Sequence, residues 1–434
     1  MLKRFRELSV NVCAVLAALC HPVRALAAPH LPAIPPGKFN IMSYGAVGDG
    51  SVTNTAAIQA AIDAADAAGG GTVEVPPGNF LCGPIRLASD INLHLDDGAV
   101  LVMLPLEKYP GGTVRPENFI SGLDLHDIAI SGSGLINGQG IPWWPYARQR
   151  GARRPIMIHL LGCSRVLIEN VTLTNSPMFH IAVSGRSADV TVRGVTIRAN
   201  PSSDPVNPGH NTDACDVSGK NILIENCNVS VGDDDFTCGG HTSDVLITNC
   251  TYGYGHGVSI GSGTYGGVSN ITVIDCTFNN TEQGIRIKSD RGRGGYVHDL
   301  KYLDLRMTNV LCPILIYASY MATNPEYRRL YKLTPAIAAS YPPQPVTDRT
   351  PIYGDIFFSN ITATVQADGV AGVIWGLPEM SVSNVVLQNV SITADKPFCI
   401  YDAQNVRVIS SKIITPAGVV PWSVTNAQIE NVTK

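Results

Sequence analysis

Charged side chains are scarce in this chain: they make up 15% of its 434 residues, and the formal net charge is −4. With 31 Lys and Arg against 35 Asp and Glu there is no polybasic excess, which argues against a nucleic-acid surface. Scarce charge together with 45% hydrophobic residues is the opposite of a disordered composition. No apolar run beyond the N-terminal region approaches the ~20 residues that a membrane helix needs, so no spanning segment is expected. The 42 glycines have no three-residue period, which excludes a collagen-like chain. What is left is a large, turn-rich protein, globular or repetitive. Its length alone would suggest two or three domains at ~150 residues each, a rule that elongated β-folds break.

The N-terminus reads as an export signal. Lys3, Arg4 and Arg6 precede an apolar stretch of 11 residues, Val10 to Cys20, too short to cross a bilayer. Ala25-Leu26-Ala27 supplies a small-x-small cleavage pattern. Residues 1–28 are therefore expected to be a leader, and 29–434 the mature, exported protein, secreted or periplasmic. Cys20 follows Leu19 where lipidation would need a small residue. Removing Cys13 and Cys20 leaves nine cysteines, an odd number that leaves at least one thiol unpaired in a monomer.

One pattern recurs along the chain. An alternating apolar run meets Asn, Asp or Gly and resumes as a short second run, as in Val166–Leu173, Val190–Ile197, Ile222–Val229, Val245–Tyr252 and Ile271–Phe278. Fainter copies start at Leu300, Ile356, Val385, Val406 and Ala427, so the interval is 21–32 residues apart from one of 56. Each repeat also carries a second strand: His180–Gly185, Ala214–Gly219, Asp235–Gly240, Gly257–Ser262 and Gly284–Ser289. Their second and fourth residues are apolar and their third and fifth mostly small or polar, which places one face inward and one outward. A leucine-rich repeat would show a Leu ladder, and a propeller would need blades of about 40 residues. The expected fold is all-β, a single-stranded right-handed parallel β-helix of about ten coils. Thr53–Ala68, with Ile58 and Ile62 on one face and Gly69–Gly71 after it, is the expected N-terminal capping helix. Residues 321–355 break the repeat and hold six prolines, and are expected to form one long loop. Cys227, Cys250 and Cys276 fall in one column, read as packed thiols. Asn170, Asn226, Asn249, Asn360, Asn389 and Asn431 form another, read as a turn ladder; several of them fit glycosylation sequons, which an inward-turned ladder would leave unmodified.

Aligning the second strands locates the chemistry. The residue before each is Phe179, Asp213, Asp234, His256 or Gln283. Coils stack about 4.8 Å apart, so Asp213, Asp234 and His256 should form a row at one strand edge, with Asp233 adjoining. The outward third residues are Asp216, Thr237, Ser259 and Arg286, and Lys288 is an outward fifth. One such Asp is usually a turn residue. Several on adjacent coils repel one another, and carboxylates this close should divide into one that keeps a proton and one that does not. An acid beside a base is what glycosidic cleavage requires, and cations beside them suit an acidic sugar.

Four motifs in order, Asn211-Thr212-Asp213, Gly232-Asp233-Asp234, Gly255-His256-Gly257 and Arg286-Ile287-Lys288, resemble those of the glycoside hydrolases of family 28, the polygalacturonases. Tyr44–Gly50, Gly138–Gly140 with Trp143 and Trp144, and Asn175–His180 extend the likeness over nearly the whole mature chain. The resemblance implies an inverting hydrolase of the α-1,4 galacturonosyl linkages of homogalacturonan. By it Asp233 matches the general acid, and Asp213 and Asp234 the pair that positions and deprotonates water. His256 supports the acid, Arg286 and Lys288 grip a galacturonate carboxylate, and Asn211 and Tyr320 fall at substrate-binding positions. It implies no metal, no cofactor, an acidic polysaccharide as partner, neither nucleic acid nor membrane, and a monomer. Both Asp residues of the pair and both cations favour homogalacturonan over rhamnogalacturonan; a rhamnogalacturonan or xylogalacturonan hydrolase is the alternative within the family. A calcium-dependent pectate lyase and a non-catalytic polysaccharide-binding β-helix are the alternatives outside it. Asp235 departs from the family pattern as a fourth carboxylate, either tuning the acid or pointing elsewhere. Arg291 and Arg293 either add cations to the cleft or form a solvated turn.

Overall fold

The computed structural model describes residues 27–432. The expected leader lies almost wholly outside them. Among the described residues 33 strands join in one parallel network, the parallel β-helix that the repeat predicts. No helix among the described residues is long and apolar enough to cross a membrane.

The repeat becomes register. Val166, Val190, Ile222, Val245, Ile271, Leu300, Ile356, Val385 and Val406 pair coil upon coil. The final copy deviates. Ala403 pairs with Ala427, but Val406 pairs with Ile429, so the column continues at Ile429 rather than at Ala427. One extra residue sits between the two pairings on the earlier strand, a bulge.

Inward positions are almost all aliphatic or aromatic and fully buried, each large side chain contributing about 1.5–3 kcal/mol. Cys227, Cys250 and Cys276 are buried and unpaired, as are the other six cysteines among the described residues. They act as small apolar fillers rather than cross-links. The Asn column is a turn ladder, and it faces outward: Asn170, Asn226, Asn249, Asn360 and Asn389 are exposed with φ of 51–62°. Asn tolerates that left-handed turn better than other side chains with a Cβ. Its amide also bonds along the stack, Asn249 Nδ2 to Asn226 Oδ1 at 2.6 Å and Asn389 Nδ2 to Asn360 Oδ1 at 2.7 Å.

Helix α1 (Thr55–Ala67) buries Ile58, Ala61, Ile62 and Ala65 on the first coils. Its Gln59 side chain completes an open strand edge. Oε1 accepts from Arg86 N at 2.9 Å and Nε2 donates to Arg86 O at 3.1 Å, so an amide side chain replaces the missing neighbouring strand.

The column that carries the chemistry includes β1 (Ile181–Arg193), β2 (Cys215–Glu225), β3 (Phe236–Cys238), β4 (Val258–Ile260), β5 (Gln283–Lys288) and β6 (Cys312–Tyr317). Ala182, Asp216, Thr237, Ser259 and Arg286 lie in register across β1 to β5, which is the alignment drawn from the sequence. After β6, residues 321–351 leave the coil. This stretch contains two 3₁₀ turns, Pro325–Arg328 and Leu330–Lys332, and a short helix α2 (Pro335–Ala339).

Candidate active site

Small residues set the turns that aim the acids. Thr212 Oγ1 donates to Gly209 O at 2.7 Å and accepts from Gly232 N at 2.9 Å, tying the Asp213 turn to the Asp233 turn. A side chain at Gly232 would meet Gly209 O at 2.1 Å. One at Gly255 would meet the Asp235 carboxylate at 2.3 Å, and one at Gly257, which is left-handed (φ 67°), would meet Gly284 O at 2.2 Å. The two glycines around His256 therefore let its loop close on the coils below and above.

The turns bring Asn211, Asp213, Asp233, Asp234, His256, Arg286, Lys288 and Tyr320 to one open groove of about 400 Å³. All eight residues singled out in the sequence line it, and Asp216 and Arg293 join them. Asp233 Oδ1 is 3.0 Å from His256 Nδ1. Its Oδ2 accepts from Asn211 N at 3.2 Å and Asn211 Nδ2 at 3.3 Å. Asp234, only 2% exposed, accepts from Lys288 Nζ at 2.8 Å, from Ser259 Oγ at 2.9 Å and from Arg286 Nη2. Lys288 Nζ stands 5.2 Å over the Tyr320 ring. Both cations thus pair with Asp234, where the sequence reading places them on substrate.

The acids do divide. Burial opposes ionisation of Asp234, but Arg286, Lys288 and His256 outweigh it and hold its carboxyl well below the usual range. Burial also opposes ionisation of Asp233, and the His256 hydrogen bond and charge still pull it down. Asp213 and Asp216 lie the other way. Burial, then the charges of neighbouring aspartates, push both well up, and Oδ1 of each has no hydrogen-bond partner. His256 is opposed by burial and by Arg286, whose Nη2 is 3.3 Å from Nδ1. Hydrogen bonds with Asp233, Asp234 and Glu282 prevail, and its pKa is well raised. The carboxyls pushed towards the protonated form are thus Asp213 and Asp216, whereas Asp233 and Asp234 are pulled towards the ionised form and His256 towards the protonated one.

Two side chains of the site, Glu282 and Arg154, were not singled out in the sequence. Glu282 faces His256 Nε2 at 3.6 Å; its place, one residue before the Gln283 position of the edge row, is the available signal. Arg154 donates from Nη1 to Pro177 O at 2.9 Å and His210 O at 2.8 Å, and from Nη2 to Asn211 Oδ1 at 2.8 Å. It thereby turns the Asn211 Nδ2 towards Asp233. Asp235, 1% exposed, points under the His256 loop and accepts from Gly257 N at 2.9 Å. Arg291 is spent on Glu379, with contacts of 2.6 and 2.9 Å, so of that pair only Arg293 reaches the groove. Trp143 and Trp144 are buried packing residues.

Asp233, Asp234 and His256 offer atoms within 4.8 Å of one another, a spacing a metal could use. Arg286 and Lys288 already donate to both oxygens of Asp234, which fills with positive charge the place a cation would take.

Residues 68–334 match the family model Glycosyl hydrolases family 28, and residues 38–96 match Rhamnogalacturonase A/epimerase, pectate lyase-like. A probable polygalacturonase of Vitis vinifera is 33% identical over 60% of this chain and 59% of its own length. The chain thus spans about three fifths of that plant relative. An endo-polygalacturonase of Pectobacterium parmentieri is 30% identical over 82% of this chain and 88% of its own. The solved polygalacturonase of Erwinia carotovora ssp. carotovora superposes with a TM-score of 0.66 and 25% identity, covering 94% of this chain and 99% of that one.

Proposed function

The chain belongs to glycosyl hydrolase family 28, and on that premise we propose that it is an exported, inverting hydrolase of the α-1,4 galacturonosyl linkages of homogalacturonan, with residues 29–434 as the catalytic unit. The observation that carries this reading is the groove itself: His256 Nδ1 lies 3.0 Å from Asp233, beside an Asp234 that two buried cations hold.

In this reading Asp233 passes a proton to the glycosidic oxygen, replenished from His256 Nδ1, and the C1–O bond breaks. A water held by Asp213 and Asp234 attacks C1 from the opposite face and gives its proton to Asp234, so the anomer inverts. The resting ion pairs have a part in this. Asp234 bound to two cations is a weak base. A galacturonate carboxylate entering the groove competes for Arg286 and Lys288, frees Asp234 and raises its basicity at the moment a substrate is present.

The pH profile follows with its signs. The His256 proton is present below its raised pKa and is lost as pH rises through it, so kcat/KM should fall on the alkaline side there. The water-holding carboxyls must be charged, and Asp213 has a raised pKa, so activity should also fall as pH drops below that value. A bell-shaped profile whose alkaline limb moves to lower pH in His256→Gln is expected; an unmoved limb would take His256 out of the proton path.

A calcium-dependent lyase is separated by one assay. Polygalacturonate with EDTA should release reducing ends undiminished, without the ultraviolet absorbance of an unsaturated uronide. Loss of activity with chelator, or appearance of that absorbance, would replace the hydrolase reading by the lyase one.

A further inference from the structure

A general acid delivers its proton to substrate only if no acceptor on the protein side keeps it. Around Asp233 the neighbours are donors. Oδ1 accepts from Asp234 N at 3.0 Å and faces His256 Nδ1 at 3.0 Å. Oδ2 accepts from Asn211 N at 3.2 Å and from Asn211 Nδ2 at 3.3 Å. Two of these are backbone N–H groups, which can only donate, and His256 is the proposed proton source. The Asn211 side chain is different, because its amide carries a donor nitrogen and an acceptor oxygen on one rotatable plane. Turned over, it would set its own Oδ1 against Asp233 Oδ2, accept the acid's proton and hold it off the glycosidic oxygen.

Arg154 decides which end of that amide is presented. A guanidinium has five donors and no acceptor, and Nη2 donates to Asn211 Oδ1 at 2.8 Å. Reversing the amide would bring Nδ2 against Nη2, donor on donor. The guanidinium is itself fixed, since Nη1 donates to Pro177 O at 2.9 Å and to His210 O at 2.8 Å. The backbone that carries it is held on both sides. Arg153 N donates to Thr113 O at 2.8 Å, and Ile156 N donates to Asn118 Oδ1 at 2.9 Å. Pro155, next in the chain, disfavours a helical turn at Arg154.

We infer that Arg154 is a positioning residue of the reaction: through Asn211 it keeps a donor, and not an acceptor, against the oxygen of Asp233 that faces away from His256. The inference rests on the hydrolase reading above, in which Asp233 gives up a proton. Two other effects of Arg154 are separable from this one. Its charge lies near Asp213 and Asp233, and its bonds to Pro177 and His210 brace two turns. Neither of those needs the Asn211 side chain.

The test is a double-mutant cycle on polygalacturonate with Arg154→Met, Asn211→Ala and the two combined. Arg154→Met should lower kcat about ten-fold, with KM changed about three-fold at most, as befits one charge-assisted hydrogen bond that acts on the proton transfer. In the Asn211→Ala background the same substitution should change kcat about two-fold at most, because no amide is left to turn. Arg154→Lys, which keeps the charge and one donor group, should fall between wild type and Arg154→Met, and it carries the same cycle if Arg154→Met does not fold. Equal losses in the two backgrounds, a loss confined to KM, or an unchanged kcat overturns the inference while the hydrolase reading stands. If the wild type releases no reducing ends, the hydrolase reading falls and the inference with it.

Discussion

Asp233→Asn is expected to lower kcat on polygalacturonate by roughly 10²–10⁴-fold, the usual contribution of a positioned acid, with KM changed only a few-fold. The amide is nearly isosteric, and one oxygen can still accept from Asn211, whose N and Nδ2 both reach Oδ2. What disappears is the group that receives a proton from His256 at 3.0 Å and hands it on. Arg286 and Lys288 keep their places on Asp234, so binding of the acidic substrate should persist. Reducing-sugar assays for kcat and calorimetric titration with trigalacturonate for affinity separate the two effects. Turnover near that of the wild type would end the assignment of Asp233 as the acid.

Arg286→Ala should have the second large effect, and on stability as well as activity. Arg286 is 7% exposed and bonds Asp234, itself 2% exposed. Removing one member of a buried pair leaves the other charge uncompensated and typically costs about 3–5 kcal/mol. Lys288, still 2.8 Å from Asp234 Oδ2, should keep the loss towards the lower end. The pH dependence has a definite sign. The folded pKa of Asp234 is depressed, so the pair's stabilisation is present above the usual carboxyl range and is lost only as pH falls through the depressed value. The gap in melting temperature between variant and wild type should therefore be widest near neutral pH and close under strong acid. A gap that is flat with pH would mean that the pair is not its source. Binding of galacturonate should weaken in the same variant, and a neutral oligosaccharide losing equal affinity would remove the carboxylate-gripping role.

The coil architecture and most of the groove were legible because a solenoid converts sequence alignment into spatial neighbourhood. Once the apolar second and fourth residues of each strand are superposed, Asp216, Thr237, Ser259 and Arg286 must share a column, and the register bears this out. Contacts made outside the coil were not legible. Arg154 reaches Asn211 from an irregular segment with no repeat to align it. His256 sets its two ring nitrogens towards Asp233 and Glu282, a matter of ångströms that spacing does not encode. The stretch after β6 reads as loop from its prolines, yet its tyrosines pack on Trp375; the apolar turn of the outward column at Leu315 and Tyr317 is the clue that something covers that face. The final repeat falls two residues from where periodicity places it, at Ile429 rather than Ala427, beside a register shift that spacing does not reveal.

The turn ladder has a mechanical side. The ladder's amide bonds reach only one coil away, at 2.6 Å between Asn249 and Asn226 and 2.7 Å between Asn389 and Asn360, and the strands likewise bond to adjacent coils alone. Such a stack resembles a zipper more than a knot. Tension applied to the end strand Trp422–Val432 would be borne one rung at a time, with resistance set by a single coil rather than by the whole length. The acid-bearing coils lie several rungs away from that end, so peeling could begin there long before it reached them.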